Sequence, residues 1–260
     1  MSLIVSYFKF LIKSSNQHGV HSPFVYNLIT KCFYDKKEHS EYKKLKQYRT
    51  SLLKDNSVIS VTDFGTGSRV FKSNQRKVSA IAKNAGISEN RAKLLFRVIR
   101  YFQPSDILEI GTSVGLATSA LSVGNHNAKI TTLEGCPNTQ KVAKDKFQTS
   151  TIKHQNVDFI TAEFSSYLSN LKLETINLKL IYFDGNHSKK ATLEYFELLL
   201  PTITNDSVWI FDDIHWSKDM EQAWEVIKNH PKVTVTIDTF QWGFVFFRSE
   251  QEKEHFVVRI

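Results

Sequence analysis

The chain has 260 residues, of which 41% are hydrophobic and 23% charged, so it can bury a sizeable core and a disordered chain is excluded. Its two cysteines, Cys32 and Cys136, lie far apart and form no CxxC pair. This argues against a disulfide scaffold or a zinc site and favours a reducing, cytoplasmic environment. No apolar run reaches the roughly 18–20 residues of a membrane span, so we predict no stable membrane insertion.

The first third of the chain predicts helices. MSLIVSYFKFLIKSS is typical of a short amphipathic helix packed on the protein, with a peripheral membrane contact as the alternative. SPFVYNLITKCF predicts a second helix, with Ser22 as N-cap and Pro23 at the first helical position. EYKKLKQYRTSLLKD predicts a third helix. We therefore expect a helical N-terminal cap with a lid-like loop over residues 1–85, followed by one main domain over residues 86–260.

The charge of +8 is unevenly distributed along the chain. Residues 1–105 carry 19 Lys or Arg and 6 Asp or Glu, whereas residues 106–260 carry 15 and 20. A basic first part favours either a surface for RNA or an anionic substrate, or simply solvated helical faces. Because the charges are scattered, the pattern leaves these alternatives open.

From Asp106 onward, strand-like runs alternate with helical ones. The strand-like runs are ILEIG, KITTLEG, VDFITAE, LKLIYFDG and SVWIFDD, and a helical pattern follows each. KVTVTIDTFQWGFVFFR then holds two β-rich runs too close together for a helical crossover, so they must pair antiparallel. The predicted fold class is α/β: a Rossmann-like doubly wound sheet, mostly parallel with an antiparallel C-terminal strand, plus the helical cap.

Two glycine-rich turns, VTDFGTGSRV and ILEIGTSVGLAT, compete as a nucleotide-binding loop. Such a loop needs a buried strand before it and a helix after it, whose N-terminus points N–H groups at the ligand. Only the second turn meets both conditions, with Gly111 and Gly115 allowing a close approach of the backbone. Glu134 follows about 20 residues later, where a carboxylate can accept hydrogen bonds from ribose hydroxyls.

These motifs, with IYFDGNHSKKATLEYFELLLP and WIFDDIHW, resemble class I S-adenosylmethionine-dependent methyltransferases, particularly the catechol and caffeoyl-coenzyme A O-methyltransferase-like group. The resemblance covers about residues 86–248. It implies that Glu109, Gly111 and Thr112 surround the methionine part of the cofactor, that Glu134 holds the ribose, and that Glu163 lies near the adenine.

A group of carboxylates is predicted at the carboxyl edge of the sheet, because Asp184 follows the fourth strand and Asp212 and Asp213 follow the fifth. Crowded carboxylates suit Mg²⁺ or another divalent cation, and in the resembled group such a metal orients the acceptor oxygens. This chain departs from that group, which has Asn in place of Asp213 and a catalytic Lys near His187. We therefore leave the metal requirement open. Without a metal, His187 or His215 is the candidate general base. Asp184 is a candidate both for catalysis and for contact with the cofactor.

The expected function is methylation of an oxygen atom on a small molecule, with S-adenosylmethionine as the cofactor. RNA methylation and a non-catalytic cofactor-binding protein are the alternatives. The sequence identifies neither the acceptor nor the oligomeric state. The earlier glycine turn is then either a simple surface loop or a lid, with Gly65 and Gly67 as hinges and Arg69 or Lys72 facing an anionic substrate.

Overall fold

A computed structural model of the chain describes residues 3–62, 73–152, 156–171 and 178–260. The α-helices among these residues are α1 (Leu3–Lys13), α2 (Pro23–Leu28), α3 (Ser40–Leu53), α4 (Val78–Asn84), α5 (Glu89–Phe102), α6 (Leu116–Gly124), α7 (Pro137–Gln148), α8 (Phe164–Ser169), α9 (Lys189–Leu199) and α10 (Lys218–Asn229). The strands are β1 (Val58–Ser60), β2 (Gln75–Lys77), β3 (Asp106–Ile110), β4 (Lys129–Glu134), β5 (Val157–Thr161), β6 (Leu180–Phe183), β7 (Val208–Asp212), β8 (Val235–Asp238), β9 (Trp242–Phe246) and β10 (Glu254–Val257).

The chain divides into two compact units. The split unit comprises Met1–Tyr34 and Ser165–Ile260, and the continuous unit comprises Asp35–Phe164. The domain boundary predicted between residues 85 and 86 coincides with neither division and stays a prediction.

In the continuous unit, β3, β4 and β5 form a parallel arrangement with β4 in the middle. Helix α5 begins after Ser88, whose side chain accepts a hydrogen bond from the Arg91 backbone N–H, and its apolar face is buried. Helix α6 packs closely on α5 at Gly124. A Cβ added at this glycine would lie only 2.5 Å from Ile99 Cβ, so the close packing requires glycine here. A short antiparallel hairpin, β1 with β2, belongs to the same unit.

In the split unit, β6 and β7 are parallel, and β9 pairs antiparallel with both β7 and β8. This confirms the antiparallel ending that the sequence predicts. Aromatic side chains fill the core, where Phe183 stacks on Phe211 at 4.1 Å between ring centroids. Gly243 is required by packing, since a Cβ there would lie 2.6 Å from the Trp224 ring.

The predicted fold class is confirmed: parallel strands alternate with helices, an antiparallel pair closes the pattern, and helices precede it. Two features were missed. Strand β10 adds to β8 in parallel, and Val58–Ser60 pairs with Gln75–Lys77. The three strands involved, β1, β2 and β10, have only three or four residues each and no clean alternation of apolar and polar positions, so their sequences carry little strand signal. Within the described ranges, no helix is long and apolar enough to cross a membrane.

Candidate functional site

The predicted cofactor loop joins β3 to α6 in the continuous unit. Gly111, Ser113 and Gly115 all have positive φ, at 104°, 49° and 82°. These left-handed conformations suit glycine and turn the chain sharply between a buried strand and the first turn of α6. The backbone N–H groups of Gly111 and Thr112 both donate to Leu133 O at 2.9 Å. The loop is therefore attached to β4 and presents the N-terminus of α6 as a nucleotide-binding loop does.

Glu109 lies fully buried on β3, immediately before this loop. Its Oε2 accepts hydrogen bonds from Thr118 Oγ1 at 2.6 Å and from Thr132 Oγ1 at 2.5 Å. Since a hydroxyl has one proton, Thr132 accepts from Thr112 Oγ1, 2.5 Å away. By contrast, Glu109 Oε1 is buried and has no hydrogen-bond partner among the described residues. A buried carboxylate oxygen without a donor is costly, which makes it a candidate ligand contact.

The electrostatics of Glu109 are unusual for a carboxyl group. Burial raises the pKa of Glu109 to about 8, the nearby charge of Glu134 adds to this, and the hydrogen bonds from Thr118 and Thr132 oppose it. A bound cation near Oε1 would favour the ionised form instead. The methionine end of S-adenosylmethionine carries both an ammonium and a sulfonium group, so the residues present fit this cofactor.

Glu134, the predicted ribose ligand, ends β4 and is half-buried. Its Oε2 accepts from the Ser113 backbone N–H at 2.8 Å, and its Oε1 accepts from the Cys136 backbone N–H at 2.9 Å. These bonds hold the carboxylate beside the glycine loop. Each carboxylate oxygen has two lone pairs, so a bond from one backbone N–H does not by itself prevent a bond from a hydroxyl donor.

Tyr48, on helix α3, contacts the glycine loop, and the sequence did not suggest this contact. Its side chain is 2% exposed, and its hydroxyl donates to Val114 O at 3.0 Å. A side chain at Gly115 would come within 2.6 Å of the same hydroxyl. Burial raises the pKa of Tyr48, and the charge of Glu109 adds to the effect, so the hydroxyl stays a donor. No local motif marks Tyr48, because its partner is distant in sequence.

The remaining predictions in the continuous unit concern Glu163 and the lid. Glu163 follows β5 by two residues and is exposed; its adenine role stays a prediction. The lid residues Gly65, Gly67, Arg69 and Lys72 lie outside the described residues. Thr62 is the last described residue before that segment, and its backbone N–H donates to Cys136 Sγ at 3.3 Å.

Two of the predicted carboxylates meet in the split unit, around Tyr182. The Tyr182 hydroxyl is 2.9 Å from Asp212 Oδ2 and 3.5 Å from Asp184 Oδ2. Asp212 is 3% exposed at the end of β7, and Asp184 directly follows β6. As expected for adjacent parallel strands, the two carboxylates share one edge.

The geometry of these carboxylates fits the predicted metal site less well than it fits the predicted shared edge. Asp213 has φ of 54°, and its backbone N–H donates to Asp212 Oδ1 at 2.7 Å. The Tyr182 hydroxyl, a hydrogen-bond donor, contacts both of the other carboxylates. Over the part of the chain that the structure describes, no three His, Cys, Asp or Glu side chains form a group that could hold a metal ion. The metal roles of Asp184, Asp212 and Asp213 therefore stay predictions.

His187 lies beside Asp184, with Nε2 3.6 Å from Asp184 Oδ1. It also lines a small cavity. The other residues that line this cavity include Asp212, Thr192, Tyr195 and Met220. The cavity has about 10 Å³ of space for the centre of a water molecule, which is close to the minimum for holding one. His187 therefore combines a nearby carboxylate with partial exposure, as a proton acceptor requires.

His215 has a different environment. Its Nε2 is 2.8 Å from Asp238 Oδ2 and its Nδ1 is 3.4 Å from Glu221 Oε1, while its ring stacks on Phe240. Burial by itself would lower the pKa of His215, but Asp238 and then Glu221 raise it above its usual value. An imidazolium between two carboxylates suits a structural ion pair, and this geometry does not favour the predicted role as general base.

A family of known proteins matches the middle of the chain. The family described as "Methyltransferase domain" matches residues 108–214, which span the glycine loop and both acidic strand ends. No curated protein matches the chain in sequence.

Solved structures of methyltransferases share its fold. The methyltransferase PaMTH1 of Podospora anserina, solved with S-adenosylhomocysteine, has 14% identity and a TM-score of 0.59 over 88% of this chain and 97% of its own. An O-methyltransferase from Bacillus cereus, in complex with the same compound, has 17% identity and a TM-score of 0.54 over 82% and 92%. TomG from Streptomyces achromogenes, an O-methyltransferase in complex with S-adenosylmethionine, has 15% identity and a TM-score of 0.56 over 82% and 92%. At these identities the likeness establishes the fold.

Proposed function

We propose that the chain is a class I, S-adenosylmethionine-dependent methyltransferase that methylates an oxygen atom of a small molecule. The match of residues 108–214 to the family described as "Methyltransferase domain" supports this proposal. The observation that carries the cofactor assignment is Glu109 Oε1, a buried carboxylate oxygen without a donor among the described residues, directly before the glycine loop. Glu109 holds the cationic methionine end, while Gly111, Thr112 and Gly115 bring backbone close to it. Glu134 accepts the ribose hydroxyls, and Glu163 borders the adenine.

The acceptor is held by the group around β6 and β7. When bound, S-adenosylmethionine supplies a methyl group on a positively charged sulfur, so the protein's task is to align the acceptor oxygen and exclude water. His187 takes the acceptor's hydroxyl proton at Nδ1. Asp184, whose Oδ1 is 3.6 Å from His187 Nε2, stabilises the imidazolium that results.

The proposed proton transfer uses no metal ion. Tyr182 donates towards Asp212 and lies within 3.5 Å of Asp184, which leaves these carboxylates engaged with a phenol rather than arranged around a cation. This observation supports metal-independent proton removal by His187. In the related O-methyltransferase group, a metal would favour the ionised acceptor instead.

Two experiments test the proposal. Calorimetric titration with S-adenosylmethionine, with Mg²⁺ or with EDTA, on wild type and Glu109→Gln measures the cofactor site and its metal dependence. We expect binding to wild type in both conditions and at least tenfold weaker binding to the variant. Equal affinity of the two proteins would contradict the role of Glu109.

The second experiment follows methyl-tritiated cofactor onto catechol and 3,4-dihydroxybenzoate as probe acceptors. We expect His187→Gln to lower turnover by roughly 100-fold or more, the usual contribution of a positioned base, with unchanged cofactor affinity. The exposed His18→Gln is the matched control and should keep wild-type activity. Turnover that is abolished by EDTA and restored by Mg²⁺ would overturn the metal-independent mechanism.

The alternatives have less support. The structural neighbours with named reactions are O-methyltransferases, which does not favour RNA as the acceptor. Salt-sensitive RNA binding with methyl transfer to RNA would revive that alternative. A non-catalytic role predicts cofactor binding without methyl transfer to any acceptor.

A further inference from the structure

Helix α1 is held to the split unit along one side. Ser6 Oγ donates to Glu221 Oε1 at 2.6 Å, and the rings of Tyr7 and Phe10 lie 4.8 Å and 5.4 Å from the ring of Phe240. Ser6 and Phe10, four residues apart, are the buried positions of the helix. These contacts fix which side of α1 faces outward.

The outward side of α1 is apolar. Ile4, Phe8 and Ile12 recur every four residues and are 69%, 61% and 85% exposed. Residues four apart lie on one helix face, so the three side chains form a continuous stripe. Within the described ranges, six of the eleven exposed large hydrophobic residues belong to this helix. Exposed apolar clusters of this kind mark interaction sites.

The charges on α1 are of one sign. The helix LIVSYFKFLIK contains no acidic residue, and its two lysines, Lys9 and Lys13, are exposed and four residues apart. They lie along one flank of the apolar stripe. A surface that accepts both apolar side chains and flanking cations is the interface of a bilayer with anionic headgroups.

A second copy of the chain fits this face less well. An 11-residue helix is about 16 Å long, and three side chains of such a helix cannot supply the roughly 800 Å² per partner of a stable interface. A pairing of two α1 helices would also bring lysines of like charge together. A bilayer has neither restriction, because apolar side chains insert individually and the lysines meet anionic headgroups.

From these observations we infer that α1 is a docking surface for anionic lipid membranes, on which the chain lies without spanning the bilayer. Ile4, Phe8 and Ile12 enter the headgroup and acyl boundary, and Lys9 and Lys13 contact lipid phosphates. The inference is independent of the methyl acceptor.

Sedimentation of the full chain with vesicles tests this inference. We expect binding to vesicles of phosphatidylglycerol and phosphatidylcholine, at least tenfold weaker binding to pure phosphatidylcholine, and weakening as salt is raised. Phe8→Glu should reduce the affinity for the anionic vesicles by at least tenfold. Should Phe8→Glu fail to fold, Ile12→Ser provides the same test at the most exposed position.

The matched control is Val226→Glu, which places the same charge at a 46% exposed apolar residue on α10. It should bind vesicles as wild type does, and the melting temperatures of all variants should agree within a few degrees. Absence of wild-type binding to anionic vesicles overturns the inference. A dimer in solution that Phe8→Glu converts to a monomer, without vesicle binding, assigns the face to a second copy instead.

Discussion

The hydroxyl of Tyr48, on the third helix, donates a 3.0 Å hydrogen bond to the carbonyl of Val114, within the glycine loop. Helix α3 was expected only as part of an N-terminal cap, and here one of its side chains supports the backbone of the candidate cofactor site. Tyr48 is therefore a positioning residue for this loop.

Tyr48→Phe removes this bond and leaves a buried carbonyl without a donor. We expect a loss of about 1 kcal/mol in the free energy of unfolding and a roughly fivefold rise in the Kd for S-adenosylmethionine. Tyr42→Phe, on the same helix, is the control, because the Tyr42 hydroxyl accepts from Arg97 at 3.2 Å and contacts no loop residue in the described contacts. Calorimetry that finds equal cofactor affinity in both variants would show that Tyr48 has only a structural role.

Gly115→Ala tests the close approach of loop and helix. The residue has φ of 82°, and its Cβ would lie 2.6 Å from the Tyr48 hydroxyl. We expect a loss of roughly 1–2 kcal/mol from the left-handed backbone alone, with a further loss from the contact. In the Tyr48→Phe background the loss of stability from the contact should disappear, because the next nearest atoms are 3.4 Å away or more. Denaturant unfolding of both single variants and the double variant measures the coupling; strictly additive losses would argue against the contact.

Glu109 makes the stability depend on pH. The pKa of Glu109 is raised to about 8 in the folded chain, whereas an unfolded carboxyl titrates near 4.3. Between these values the folded form holds a proton that the unfolded form has released, so stability falls as pH rises from about 4.5 to about 8.

Glu109→Gln should remove this slope, as urea unfolding at several pH values would reveal. In wild type, cofactor binding below pH 8 should release a proton, since a cation near Oε1 favours ionisation. Titration in buffers of different ionisation enthalpy measures this release. No proton release in wild type would contradict the predicted contact.

His215 makes the free energy of unfolding depend on pH over a different range. Its folded pKa lies above the usual value because of Asp238 and Glu221, which outweigh the opposing effect of burial. Its contribution is therefore complete below about pH 6.5 and is lost as pH rises through the folded pKa. His215→Asn should destabilise the protein at pH 5.5 more than at pH 8.5. The exposed His18→Asn is the control, and equal effects at the two pH values would refute the ion pair.

Much of the fold was predictable because its signals are local. Ser22 accepts from the Val25 backbone N–H and Pro23 begins α2, as the cap pattern indicates. The buried strand before Gly111 and the helix after Gly115 follow from a short apolar run and turn-forming glycines. The same apolar runs placed Glu109 and Glu134 near the carboxyl ends of their strands.

What the sequence by itself determined is thus the order of strands and helices along the chain and the position of the glycine turn between β3 and α6. The choice of that turn as the cofactor loop and the roles of the acidic residues stay predictions. Only the tertiary structure decided which hydroxyls surround Glu109, that Tyr182 lies beside both Asp184 and Asp212, and that His215 is bound between two carboxylates. The physical reason is sequence separation. The Tyr48–Val114 bond spans 66 positions and the Ser6–Glu221 bond spans 215. The periodicity and the turn motifs of one segment depend on that segment alone, so they cannot indicate a partner that only folding brings within hydrogen-bonding distance.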